Sequence, residues 1–186
     1  MTSAAKYRTI VADPPWPVTG LPVSRTPAGV SNDGRIIPVP YPTMTLEEIK
    51  ALPVRELAAS SAHLYLWTTN GFLREAFDVA DAWGFRYSQT LVWCKKPIGS
   101  MIGGTWRMST EFVLACRRGS LASTGRQNAN WFQLPRSTTH SRKPEAFLDM
   151  VEQVSPGPYL ELFARRQRLG WDTWGNQSLE HVEVSA

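Results

Sequence analysis

The junction at Ala12–Trp16 constrains this chain more than any other feature. Tyr7-Arg8-Thr9-Ile10-Val11-Ala12 is a short β-type run, and Asp13-Pro14-Pro15-Trp16 follows it with no spacer. Two successive prolines lack N–H donors and fix φ, so neither a helix nor a ladder of strand hydrogen bonds continues through them. A central strand that feeds directly into a stiff polar turn is the arrangement by which α/β sheets open a ligand crevice at their strand ends.

The remaining pattern predicts the layers around that strand. Thr45 with Glu48 three residues on is a capping box, opening a short helix that stops at Pro53. His63–Thr69 reads as a buried strand. Leu73, Ala76, Phe77 and Ala80 fall at helical spacing, with Gly84 as the C-terminal stop. Arg86–Cys94 and Glu111–Cys116 read as further strands. Pro144 suits the first turn of a helix whose core face is Phe147, Met150, Val151 and Val154. A Ser155-Pro156-Gly157-Pro158 turn then delivers the chain into a strand over Tyr159–Ala164. Trp67, Trp83 and Trp93 are assigned to the core. Strands alternating with helices predict an α/β fold with a mostly parallel sheet, in a single domain over residues 1–186. Aperiodic stretches at about 17–42, 95–110 and 117–140 are expected to be long mobile loops, which inside a compact domain are usually functional or disordered.

Composition narrows the class. Hydrophobic residues make up 42% and charged residues 19%, as in an ordinary globular protein. No apolar run reaches membrane-spanning length and no signal peptide is evident, so a soluble, cytoplasmic protein of a prokaryotic cell or a phage-infected host is expected. Cys94 and Cys116 each sit in an apolar run and read as buried free thiols. His63, His140 and His181 are scattered, so no metal site is expected. Charge is uneven along the chain: Lys95 to Lys143 holds nine basic residues against Glu111 alone. Such a block fits either a polyanion partner or a solvated basic surface.

The Asp-Pro-Pro-Trp turn suits one chemical problem, methylation of the exocyclic amine of a nucleobase. That nitrogen is a poor nucleophile because its lone pair is delocalised into the ring. Two acceptors, one per N–H, favour the pyramidal nitrogen of the transition state. Asp13 offers a carboxylate and Pro14 a carbonyl; Pro15 stiffens the loop, and Trp16 offers a flat surface for an extruded base. A proline-rich turn with a buried tryptophan accounts for the same four residues.

The wider sequence resembles the MT-A70 family of adenine-N6 methyltransferases. Asp13-Pro14-Pro15-Trp16, Tyr41-Pro42-Thr43-Met44, Leu66-Trp67-Thr68, Trp83-Gly84-Phe85, Trp93-Cys94-Lys95, Ser141-Arg142-Lys143-Pro144, Glu161-Leu162-Phe163-Ala164-Arg165 and Gly175-Asn176-Gln177 appear in the family's order, from about Tyr7 to Gln177. The resemblance implies a Rossmann-like S-adenosylmethionine-dependent methyltransferase fold in circularly permuted order, catalytic loop first and cofactor strand late. It implies that Asp13 contacts both the target amine and the methionine end of the cofactor, and that Lys143 binds the cofactor carboxylate. Glu161 and Arg165 would lie near the ribose, Asn176 and Gln177 on the adenosine moiety, and Tyr41 on a loop closing over the acceptor. Arg126 and Arg136, beside Trp131, are the expected substrate contacts within the basic block. After Arg165 this chain has Arg166-Gln167-Arg168, where the mRNA-modifying members commonly carry His and Asn.

The expected activity is methylation of adenine N6 in DNA. The alternatives are adenine N6 in RNA, cytosine N4 in DNA, and a non-catalytic paralogue that binds nucleic acid. The expected partner is nucleic acid, DNA ahead of RNA, with no membrane and with room for a homodimer or a partner subunit.

Overall fold

The computed structural model describes residues 6–17, 42–96, 106, 108–135 and 142–175. Along the chain these form β1 (Tyr7–Ala12), α1 (Leu46–Ala51), α2 (Val54–Leu57), β2 (Ala58–Thr68), a 3-10 turn (Asn70–Phe72), α3 (Leu73–Ala82), β3 (Arg86–Lys96), β4 (Thr110–Arg118), β5 (Trp131–Pro135), α4 (Ala146–Val154), β6 (Tyr159–Leu162) and β7 (Trp171–Trp174). The strands make one seven-stranded sheet in the order β5-β3-β4-β2-β1-β6-β7. Only β4 runs antiparallel to its neighbours β2 and β3. The carboxyl ends of the other six strands therefore meet at one edge, together with the start of β4. That edge holds the site.

Local sequence explains most elements. Thr45 Oγ1 accepts from the Glu48 N–H at 3.2 Å while the Glu48 carboxylate accepts from the Thr45 N–H at 2.7 Å, closing the expected capping box. Gly84 takes φ +78 and ends α3 as its position predicts, its N–H donating to the Asp81 carbonyl. Pro53 ends α1 but also starts α2, since its carbonyl accepts from Glu56 and Leu57.

Period-two alternation sorts the strands onto two faces. Ile10, Leu64, Leu66, Leu114, Leu160 and Leu162 pack under α1, α2 and α3. Val11, Tyr65, Trp67, Trp93, Val113 and Phe132 face α4, which docks through Phe147, Leu148 and Val151. Trp67 is the centre of that second layer, edge-on to Trp93, Phe132 and Phe147. Trp67, Trp83 and Trp93 are all buried, as expected of core aromatics. No helix among the described residues is long and apolar enough to cross a membrane.

Several expectations need correction. β2 begins at Ala58 rather than His63. The stretch from 117 to 140 is not all loop, because β5 forms at Trp131–Pro135 and pairs in parallel with β3. β6 stops at Leu162 because Phe163 turns to φ +62, and β7 was not anticipated. Cys116 is buried, whereas Cys94 is only partly so; both are free thiols.

Candidate active site

Val11 and Trp67 point to the α4 face, and at the carboxyl edge of that face the sheet and helix part to leave a cleft. Asp13, Arg142, Lys143, Pro144, Glu161, Phe163, Arg165 and Arg166 share its lining. Asp13 stands one residue past β1, Glu161 near the end of β6, and Lys143 just before α4, so three separate elements deliver the charged groups.

Lys143 Nζ sits 2.8 Å from each Asp13 oxygen. The same ammonium lies 3.4 Å from Glu111 Oε2 and over the Trp67 ring, 5.4 Å from its centroid. Lys95 pairs with the other Glu111 oxygen and lies over Trp93. The result is a row of alternating charges, Asp13–Lys143–Glu111–Lys95, floored by two tryptophans. Burial drives the Asp13 carboxyl above the ordinary aspartate range, and Lys143 offsets part of that shift. Burial also works to lower Lys143, but its two carboxylate neighbours outweigh it and hold the ammonium charged. At Glu111 burial works upward, and Lys143 with Lys95 outweighs it, so that carboxyl is held low.

Glu161 differs. Its Oε2 is buried with no hydrogen-bond partner, and burial pushes its carboxyl up to about 7, against the opposing charge of Arg166. Arg166 is 12% exposed, and its Nε is likewise buried without a hydrogen bond. An orphaned acceptor and an orphaned donor thus share one cleft. Thr69 Oγ1 and Glu111 Oε2 are likewise buried without a hydrogen bond, although buried polar groups are normally paired.

Backbone geometry at the end of β6 supports the cleft. Phe163 adopts the left-handed region without being glycine, and its ring packs edge-on to Trp174 at 5.2 Å. Gly175 is required by close approach: a Cβ there would lie 2.4 Å from the Ala164 carbonyl oxygen. Beyond the turn, Arg168 is pinned to α4 by Glu152 at 2.9 Å and Asp149 at 2.6 Å. The whole segment is thereby laid against the helix.

The structure brings Asp13, Pro14, Lys143, Glu161 and Arg165 to one edge. The Pro14 carbonyl accepts from the Trp16 N–H at 2.9 Å and retains a second lone pair; the Pro15 carbonyl accepts from Met44 at 3.0 Å. Trp16 corrects an expectation. Its ring is 5% exposed, stacks on Phe72 at 5.6 Å and donates Nε1–H to the Trp67 carbonyl, so it anchors the loop and offers no surface to a base.

Arg126 is not near these groups. It lies beside a second cavity, of about 440 Å³, with His63, Gln89 and Arg117. The loop that carries it is tied to the other end of α4, where Thr124 N donates to the Val154 carbonyl, and to His63 through the Leu121 carbonyl. His63–Thr68 spans about 17 Å at roughly 3.3 Å per residue, so Arg126 belongs to the opposite edge of the sheet. Tyr41, Arg136, Asn176 and Gln177 lie outside the described residues.

Four residues at this edge are given no role by the sequence. Glu111 is the second residue of β4, and only the antiparallel pairing shows it to meet Lys143. Arg166 was noticed as a departure in sequence but given no role. Trp106, 86% exposed, and the half-exposed Met108 lead into β4 at the carboxyl edge.

Comparison with known proteins finds relatives along nearly the whole chain. A family model described as MT-A70 matches residues 7–177. The type II methyltransferase M.MunI of Mycoplasma sp is 32% identical over 91% of this chain and 77% of its own length. The human N(6)-adenosine-methyltransferase catalytic subunit METTL3 is 26% identical over 92% of this chain and 28% of its own. The N6-methyladenosine RNA methyltransferase MTA1 of Cryphonectria parasitica is 28% identical over 95% of this chain and 53% of its own. The chain thus spans about a quarter to a half of these last two relatives.

Proposed function

The chain belongs to the MT-A70 family of adenine methyltransferases, and on that premise we propose that it transfers the methyl group of S-adenosylmethionine to N6 of adenine in DNA. The observation that carries the reading is Asp13 just past β1, its carboxylate fixed by Lys143 beside a cleft that it shares with Glu161 and Phe163 at the end of β6.

The donor set of that cleft fits the cofactor: cations and a carboxyl for its amino-acid end, with an orphaned acceptor on Glu161 and an orphaned donor on Arg166. When bound, the cofactor supplies an electrophilic methyl group. Asp13 accepts a hydrogen bond from the adenine amine, and the Pro14 carbonyl accepts from its second N–H. Lys143 keeps the Asp13 carboxylate ionised and oriented as that amine gains positive charge. Arg165 lies toward the ribose; Asn176 and Gln177 on the adenosine moiety, and Tyr41 over the acceptor, are assigned by resemblance alone. With Trp16 buried, the flat surface offered to an extruded base at this edge is Trp106.

Identity to the type II methyltransferase, higher than to the relatives named for adenosine or RNA, favours DNA as acceptor. Incubating the protein with labelled cofactor and DNA or RNA oligonucleotides, followed by nucleoside mass spectrometry, tests the reading. N6-methyldeoxyadenosine is expected. N6-methyladenosine would move the acceptor to RNA, and N4-methyldeoxycytidine would move the base. Cofactor binding without any product would leave a nucleic-acid-binding paralogue.

A further inference from the structure

The cavity of about 440 Å³ at the far edge of the sheet is within the size of small-molecule sites, roughly 300–1,000 Å³. Its floor follows from strand alternation. Leu91 and Ala115 lie on the α4 face, partly buried against Val154 at the end of that helix, and Gln89 and Arg117 stand two residues along from them on the same face. The opposite wall is the loop 121–130. Its Thr124 N–H donates to the Val154 carbonyl at 3.0 Å, Gln127 to the Gln153 side chain at 2.8 Å, and Asn130 Nδ2 to the Thr90 carbonyl at 3.2 Å. Gly125 lies so close to the Gln153 carbonyl that a Cβ there would press into it. The loop is thus tied to α4 at one end and to β3 at the other, and the gap between it and the sheet is built into the fold.

Arg117 and Arg126 line this gap, and among the described residues no carboxylate does. Neither guanidinium has a hydrogen bond or ion pair to another described residue. Arginines nearby are tied: Arg118 donates to the Arg55 carbonyl at 2.6 Å, and Arg168 clasps Asp149 and Glu152. His63 adds no third cation. Its Nε2–H donates to the Leu121 carbonyl at 3.1 Å, the Ser155 hydroxyl donates to Nδ1 at 2.8 Å, and the Tyr65 hydroxyl donates to Ser155 Oγ at 2.7 Å. A carbonyl only accepts, which sets that order for the neutral ring. Burial, and then the charges of Arg117 and Arg8, hold the imidazole below its ordinary range.

We propose that this cavity binds a small organic phosphate of mononucleotide size. Arg117 and Arg126 donate to the phosphate, Gln89 and Asn128 meet the polar edge of the body, and Leu91, Ala115 and Val154 lie under its face. Guanidinium groups suit a phosphate because their planar N–H forks match its oxygens. The site lies at the opposite ends of the strands from Asp13, about 17 Å away along β2 at roughly 3.3 Å per residue, and is independent of the methyl-transfer reading. A gap walled by a fixed loop on one side and by the sheet on the other has room for one small ligand, not for a run of phosphates.

Titration of the full, isotopically labelled chain with uridine 5′-monophosphate, followed through backbone amide NMR shifts, tests the site. Uracil is the base of choice because adenine compounds also suit the cleft at the carboxyl edge. The amides of Gln89, Arg117 and residues 123–130 should shift together and saturate. Uridine, which lacks the phosphate, should bind at least about tenfold more weakly. Arg117→Gln and Arg126→Gln should each weaken the nucleotide by about ten- to a hundredfold, the range for a hydrogen bond to a charged group. Asn128→Asp, which adds a carboxylate to the same wall, should weaken the nucleotide and spare uridine. All three side chains are exposed, so these variants should keep the wild-type spectrum elsewhere. The absence of a saturable shift at this edge at millimolar nucleotide overturns the proposal, as does unchanged affinity in both arginine variants. Inorganic phosphate that moves the same amides with equal affinity would show an adventitious ion only. An oligothymidylate that binds there more tightly than the mononucleotide would put a nucleic-acid strand in place of the small ligand and overturn the proposal too.

Discussion

Asp13 and Glu161 are both partly buried carboxyls at one strand edge, yet their surroundings differ. Asp13 is paired, and the row of charges it heads has every carboxylate in contact with an ammonium. Buried ion networks of this kind are seldom kept for stability, because desolvation consumes most of the Coulombic gain. Asp13→Ala should therefore leave the fold intact, with Lys143 still facing Glu111, while turnover falls by at least about 10²–10³-fold, as when one preorganised polar group is removed from an active site. Single-turnover rates on a variant with a wild-type circular dichroism spectrum check this. Glu161 is the unpaired case. Its folded pKa of about 7 lies above the ordinary 4.5, so the folded chain holds a proton there that the unfolded chain has released. Stability attributable to this group falls as pH rises from about 4.5 to 7. Glu161→Gln should raise the melting temperature of the ligand-free protein at pH 8, by a few degrees for a gain of about 1–2 kcal/mol, and leave it nearly unchanged at pH 4.5. A variant less stable than wild type at pH 8 would show that Glu161 is satisfied in the free protein.

At the scale of elements, the two turns that end β6 and β7 pack on each other beside the cleft. Phe163 sits in the left-handed region and Gly175 lies against the Ala164 backbone, whose N–H donates to the Trp174 carbonyl at 2.9 Å. Gly175→Ala would drive a methyl group into that backbone and part the two turns. Affinity for S-adenosylhomocysteine should drop by about tenfold or more although residue 175 offers no side chain to the ligand; affinity within twofold of wild type would contradict the coupling. Sequence made parts of this scale legible. The Thr45 cap, the α3 face with its Gly84 stop and the strand leading into Asp13 all carry their own local signals. β5 and β7 do not, and both are edge strands paired on one side only. Trp131–Pro135 ends in proline inside a polar stretch, and Trp171-Asp172-Thr173-Trp174 has only four residues. Their strand character comes from the neighbour, not from the pattern. The site divides the same way. Asp13, Lys143 and Glu161 could be named because the motifs name them, but which acid Lys143 would face, and that Trp16 would turn inward onto Phe72, depends on contacts between residues far apart in the chain.

On the scale of the whole molecule, the basic residues between Lys95 and Lys143 do not form one surface. The strand β4 crosses the sheet from the carboxyl edge to the amino edge, and so separates them. Arg142 lines the cleft with Asp13, and Lys95 and Lys96 end β3 at the same edge, whereas Arg117 and Arg126 stand beside the cavity at the far edge with His63. Lys95 is already paired with Glu111, which leaves Lys96, exposed, and Arg142 as cations at the catalytic edge with no ion pair to another described residue. Nucleic acid that presents an adenine to Asp13 would lay its nearest phosphates on these two. Each phosphate contact contributes about 0.7–0.9 to the slope of log affinity against log salt. Changing Lys96 and Arg142 together to Gln should flatten that slope by up to roughly 1.4–1.8 and raise the acceptor KM. Arg126→Gln should leave the slope where it was. Isotherms with an adenine-containing oligonucleotide at several salt concentrations decide the matter. A slope that responds to Arg126 and not to Lys96 and Arg142 would mean that the strand is bound across the far edge and reaches Asp13 by another path.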